Sequence, residues 1–166
     1  MCWLSKPQLF KLQVAQEDVP VYKVVRGSEG HIVAWYMPRI YNEAFAVTQY
    51  SEVSFTNGHD GYIVGNKGFH AYEIMPCLYN AGILAGTIYR EKYNAIPLVV
   101  KCHIPKGALY ATNDAETISS AIKFDTFISA ETLVRCPGTE KDFEFIWRYK
   151  EACKKAKNII DSIKNE

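Results

Sequence analysis

At 166 residues, with 48% hydrophobic and 22% charged side chains, the chain has the composition of one ordinary globular domain and enough apolar residues for one core. A formal net charge of +1 argues against broad electrostatic binding of nucleic acid, which needs a concentrated basic face, and leaves room only for a small local basic patch. No apolar run approaches the ~20 residues that span a bilayer.

Residues 1–18 read as an N-terminal arm. Val19 to Val25 forms the first predicted strand, rich in β-branched and aromatic residues and begun by Pro20, which a first or edge strand tolerates. Arg26-Gly27-Ser28-Glu29-Gly30 then reads as a turn and His31 to Met37 as a second strand ended by Pro38, while Arg39 to Tyr50 is a short helix or an irregular arm. Asn57-Gly58-His59-Asp60-Gly61 is a strong turn signal between two strands, because Asn and Gly adopt the positive φ that tight turns require.

Pro76 sits where a helix starts, and Leu78, Ala81, Leu84, Ala85 and Ile88 recur at three- and four-residue spacings, which predicts a central helix over Cys77 to Tyr93. Ile96 to Ile104 reads as a strand with Leu98, Val100, Cys102 and Ile104 facing the core and Val99, Lys101 and His103 facing away. After the Pro105-Lys106-Gly107 turn, Ala108 to Ala111 and Ala121 to Ile128 are further strands, the second alternating as Ile122, Phe124, Thr126 and Ile128. Thr139 is the predicted N-cap of a C-terminal helix reaching Lys164. Its apolar stripe comprises Phe145, Ile146, Tyr149, Ala152, Cys153, Ala156, Ile159, Ile160 and Ile163, and its other face carries Lys150, Glu151, Lys154, Lys155, Lys157 and Lys164. The expected architecture is a single α+β domain: a sheet body over 19–136, mostly antiparallel and curved, with a central helix and a long amphipathic helix over 139–164.

Cys2, Cys77, Cys102, Cys136 and Cys153 are odd in number, widely separated and form no Cys-x-x-Cys pair, so they read as free thiols in a reducing compartment. The N-terminus lacks the basic start, apolar centre and small-residue cleavage site of an export signal, and the expected localisation is cytoplasmic. His31, His59, His70 and His103 have no i to i+4 pairing, so no metal site is expected.

The order strand, turn, strand, Gly-Phe, helix, strand, Pro-x-Gly, strand resembles the ADP-ribosyltransferase fold. Val24-Val25-Arg26-Gly27 or Tyr22-Lys23 is similar to that family's first-strand motif, Lys67-Gly68-Phe69 to its Gly-Phe segment, and Ile104-Pro105-Lys106-Gly107 to its "apolar strand then Pro-x-Gly" segment. The resemblance implies a cleft for NAD or a related nucleotide, with Lys23 or Arg26 on a phosphate. The chain departs from the family where chemistry resides: His70-Ala71-Tyr72 replaces the hydroxyl-bearing segment, and no Glu-x-Glu occurs near Ala121 to Ile128. The chain also resembles a set of small bacterial and phage proteins that share Met1-Cys2, Tyr22-Lys23-Val24, Gly68-Phe69-His70 and Lys101-Cys102-His103-Ile104-Pro105-Lys106-Gly107.

From the residues themselves, Lys23 or Arg26 with Gly68, Phe69, His70, Tyr72, Lys101 and His103 form the candidate ligand cleft, offering cations, donors and an aromatic face to a nucleotide or another anion. The expected function is a non-catalytic accessory protein of phage or prophage type that binds a nucleotide-like ligand or a host protein. One alternative is a divergent ADP-ribosyltransferase in which Tyr72 stacks on nicotinamide and Glu116 or Asp125 replaces the lost Glu. Another is an inhibitor acting by surface contact. A third is a papain-like hydrolase with Cys77 as nucleophile, His103 as base and Asn113 or Asp114 as orienting group.

Overall fold

The computed structural model describes residues 3–35, 39–75, 96–133 and 143–164. Among them are strands β1 (Trp3–Ser5), β2 (Leu12–Val14), β3 (Val19–Ser28), β4 (His31–Ala34), β5 (Gln49–Tyr50), β6 (Ser54–Asn57), β7 (Ile63–Lys67), β8 (Phe69–Tyr72), β9 (Leu98–Ile104), β10 (Leu109–Thr112), β11 (Glu116–Ser119) and β12 (Ala121–Phe127). A 3-10 turn spans Pro7–Leu9, and two helices follow the strands, α1 (Ala130–Leu133) and the long α2 (Phe143–Lys164). The pairings with a defined register are antiparallel, so the α+β expectation holds. The predicted central helix and the Thr139 cap lie outside the described residues. No described helix is long and apolar enough to cross a membrane.

The chain divides into two compact units. The first comprises Met1–Lys23, Ala46–Met75 and Lys101–Asp125; the second comprises Val24–Phe45, Pro76–Val100 and Thr126–Glu166. The larger sheet has the strand order β2-β10-β11-β8-β3-β9-β12-β5 with β4 on β3, and a smaller sheet runs β1-β7-β6.

In the first unit the expected N-terminal arm contributes two strands. Trp3 is the reason: its indole is fully buried with Ala111 and Ile118, and it meets Phe10 and Phe55 edge-on at 6.2 and 5.7 Å between centroids. Burying an aromatic side chain contributes about 1.5–3 kcal/mol, enough to hold a three-residue strand in place. The Asn57 turn forms as its residues dictate, with Gly58 N–H donating to the Tyr62 carbonyl at 2.7 Å and Gly61 at φ +78°, and β6 and β7 flank it. β11 has no strong alternation in its sequence and is defined by its neighbours β10 and β8.

In the second unit the expected turn at Arg26 to Gly30 is narrower. β3 continues through Ser28, which pairs with His31, and only Glu29 (φ +49°) and Gly30 (φ +81°) make the turn. Two consecutive positive-φ residues match the right-handed twist of a hairpin, so the ladder extends until only they are left. Of the two expectations for Arg39 to Tyr50 the chain follows the irregular arm until β5 begins at Gln49, and Asn42 holds it, its Oδ1 accepting from Ile32 N–H at 2.7 Å.

Leu98, Val100, Cys102 and Ile104 are buried as the alternation predicts; Val99 is buried with them, and its amide donates to the Tyr149 hydroxyl of α2 at 3.2 Å. The alternation in β12 breaks at Thr126, which is exposed, while Phe127 turns inward to meet Phe45 at 5.1 Å. Tyr149, Cys153, Ala156 and Ile160 form the buried side of α2, which packs against β4 and α1.

Candidate functional site

In the first unit, successive residues of β8 point to opposite faces, so Phe69 and Ala71 are buried while His70 and Tyr72 are half-buried on the other side. Pairing extends that second face across three strands. Tyr72 lies directly opposite Glu116 of β11 and directly opposite Tyr22 of β3, and His70 lies opposite Ile118 in the next row. Facing side chains in adjacent strands have Cβ atoms about 4.5–5.5 Å apart, within contact range. Tyr22, Tyr72, His70 and Glu116 therefore share one surface.

Local chemistry places each of them. The side chain of Asn113 accepts from the N–H groups of Ala115 and Glu116 at 3.0 and 2.8 Å and donates to the Leu4 carbonyl at 2.9 Å, closing the turn that presents Glu116. Trp3 donates its indole N–H to the Glu116 carbonyl at 3.4 Å. Ahead of β8, Gly68 sits at φ +132°, where Ile118 and the Ser119 carbonyl leave no room for a side chain. Gly68 and Phe69 thus shape the strand from within, and Phe69 belongs to the core at 1% exposure.

On this face burial works against charge at both titratable groups. His70 is lowered to about 4 by burial, which disfavours the imidazolium, and further by the Lys23 ammonium, so the ring is uncharged at neutral pH. Burial pushes the Glu116 carboxyl above its ordinary range, an effect that Lys23 partly opposes. Lys23 itself is 9% exposed and donates from Nζ to the His70 carbonyl at 2.7 Å, so its charge works within the fold.

Because the unfolded chain binds a proton at His70 near pH ~6.5 and the folded protein only near 4, the folded state is disfavoured as pH falls through that window. We expect a loss of about 1–3 kcal/mol, discounted for partial solvation. Glu116 acts in the opposite sense, since a raised carboxyl takes up its proton first in the folded state and gains stability as pH falls toward ~4.5. Urea unfolding across this range should show a steeper acid loss for wild type than for His70→Gln; equal slopes would mean that the imidazole is as well solvated as in the unfolded chain.

His103 belongs to a second cluster. Its Nδ1 lies 2.9 Å from both carboxylate oxygens of Asp125, and its Nε2 lies 4.0 Å from Asp18, whose other oxygen accepts from Lys106 N–H at 2.9 Å. Asp125 fixes the ring, and Lys101 is exposed two residues earlier on the same strand. The expected single cleft is therefore resolved into a His70, Tyr72 and Glu116 face with Lys23 supporting it, and a separate His103–Asp125 pair. Arg26 lies in the second unit. Cys77 lies outside the described residues, and the Asn113 amide is committed to its turn. Among the described residues no group of three His, Cys, Asp or Glu is placed to hold a metal. Cys102 and Cys153 are free thiols, both buried and raised by that burial.

Sequence reasoning passed over Tyr22 and Asp18 as site residues. The sequence shows only that Tyr22 faces away from Lys23 in its strand; that Lys23 is buried and Tyr22 meets Tyr72 follows from the pairing of β3 with β8. Asp18 carries no local signal, since its partner Lys106 is 88 residues away. A groove of about 210 Å³ is lined by Leu4, Ser5, Lys6, Leu9, Tyr62, Asn113 and Asp114, and none of the four face residues contributes to it. No family model, no curated protein and no solved structure matches the chain.

Proposed function

We propose that the protein is a binding module for a nucleotide-like ligand, holding the heterocyclic end on the face of Tyr22, His70, Tyr72 and Glu116. The observation that carries this reading is the row Tyr22–Tyr72–Glu116 across three adjacent strands, with His70 beside it. A neutral imidazole, a desolvated carboxyl and two phenol rings present donors, acceptors and π-faces suited to an uncharged base or amide. They offer little to a phosphate, because the nearby Lys23 ammonium donates to a backbone carbonyl. In this reading the sheet is ADP-ribosyltransferase-like and the chain serves as a non-catalytic accessory protein of the phage or prophage type.

A second reading is favoured by one feature. Glu116 stands directly opposite Tyr72, the pairing that a divergent ADP-ribosyltransferase would need, whereas Asp125 is bonded to His103.

Melting temperature against nucleosides, NAD, ADP-ribose and inorganic phosphate distinguishes these readings. A ligand at 100 times its dissociation constant adds about 2.7 kcal/mol of stability. We expect a nucleoside to give most of the shift that its phosphorylated form gives, and His70→Ala to lose it. Consumption of NAD, abolished in Glu116→Gln, would instead establish the transferase. No shift with any compound would discard the ligand site and leave a host protein as the partner to find.

A further inference from the structure

Charge is distributed unevenly along this nearly neutral chain. Residues 147–164 of α2 hold six Lys or Arg against two Asp or Glu, while the whole chain carries +1. The buried side of the helix is Tyr149, Cys153, Ala156 and Ile160. Along one flank of the exposed side Trp147 is 64% exposed, and Lys150, Lys154 and Lys157 are exposed at three, seven and ten residues beyond it. At 3.6 residues per turn these four side chains form one outward stripe about 15 Å long, an indole followed by three ammonium groups.

We propose that this stripe of α2 binds single-stranded nucleic acid, with Trp147 stacking on a base and Lys150, Lys154 and Lys157 contacting the phosphates that follow. An exposed tryptophan is unfavourable in water and gains by stacking, and every base has a π-face to meet it. The lysines are available for exchange. Lys150 meets Glu131 at 3.1 Å and Lys154 meets Glu151 at 3.4 Å, both in solvent-exposed pairs, which contribute little and yield readily to a polyanion. A lipid surface is a poorer fit, because an interfacial helix inserts its apolar side and here that side is already buried in the protein. Duplex DNA hides its base faces, so the indole would gain nothing from it.

The test is fluorescence anisotropy of a short labelled oligo-dT at rising salt, with the quenching of Trp147 emission followed in parallel. Three phosphate contacts on a single strand give a slope of about −2 in log affinity against log salt. Trp147→Ala should weaken binding about tenfold or more, and Lys154→Glu with Lys157→Glu should abolish it, with far-UV circular dichroism unchanged because all three side chains are exposed. No binding at low salt overturns the proposal, as does wild-type affinity in these variants. Equal affinity for a duplex of the same length, for a poly-glutamate peptide or for anionic vesicles overturns it too.

Discussion

Gly68→Ala should destabilise the protein by about 2–6 kcal/mol, the largest effect expected of alanine at any glycine among the described residues. Two penalties combine at this position. The backbone is at φ +132°, a conformation open to glycine and strained for any L side chain, which costs about 1–3 kcal/mol. A Cβ built there would also lie 2.7 Å from Ile118 Cγ1 and 3.1 Å from the Ser119 carbonyl. Neither neighbour yields easily: Ile118 is fully buried against Trp3 and Ala111, and Ser119 is paired with Phe69 in the β8–β11 ladder. Overpacking of this kind costs a further ~1–3 kcal/mol. Gly107→Ala is the control, because Gly107 has φ +90° but open space around it and should show the backbone cost alone. Urea denaturation midpoints of the two variants measure the difference, and a Gly68→Ala cost no greater than that of Gly107→Ala would show that the Ile118 contact relaxes freely. Since Gly68 precedes His70 by two residues, a surviving Gly68→Ala variant should also lose the ligand-dependent shift.

Tyr149→Phe should cost about 2–4 kcal/mol although it removes a single oxygen. That hydroxyl accepts from the Val99 amide at 3.2 Å and donates to the Ile128 carbonyl at 2.7 Å. It joins α2 to β9 and to the residue that follows β12, and burial, aided by the neighbouring Cys153 and only partly opposed by the Val99 amide, holds the phenol proton far above its ordinary range of release. Val99 is fully buried, so phenylalanine would leave an amide with neither protein nor water to receive it, a penalty of about 1–3 kcal/mol in addition to the lost bonds. Tyr50→Phe, at a position 76% exposed, should change stability by less than about 0.5 kcal/mol. Amide exchange at Val99 gives an independent measure: the variant should exchange faster there than at Val100. A cost below that of Tyr50→Phe would mean that the Val99 amide finds another acceptor.

Several elements could be read locally because local chemistry determines them. The Asn57 to Gly61 turn follows from residues that tolerate positive φ, β9 from its alternation of Leu98, Val100, Cys102 and Ile104, and α2 from an apolar repeat that matches 3.6 residues per turn. Where a longer-range contact dominated, local reading fell short. Trp3 makes a strand of a segment that looks like an arm, and Phe127 displaces Thr126 from the inward position because an aromatic side chain gains more from burial than a hydroxyl does. In the Gly-Phe-His segment the glycine and phenylalanine are framework, and the histidine is a neutral, half-buried group directly opposite the fully buried Ile118.

The sequence by itself determined the α+β character, the main turns, the buried side of α2 and the alternation that puts His70 and Tyr72 on one side of their strand. Only the tertiary structure decided that Glu116 and Tyr22 join them, that His103 is bonded to Asp125, and that Lys23 serves the fold through the His70 carbonyl. The reason is physical. A two-residue period states which way a side chain points within its own strand, whereas strand order and register come from pairings between segments far apart in the chain, and a slip of one residue would send every one of these side chains to the other face.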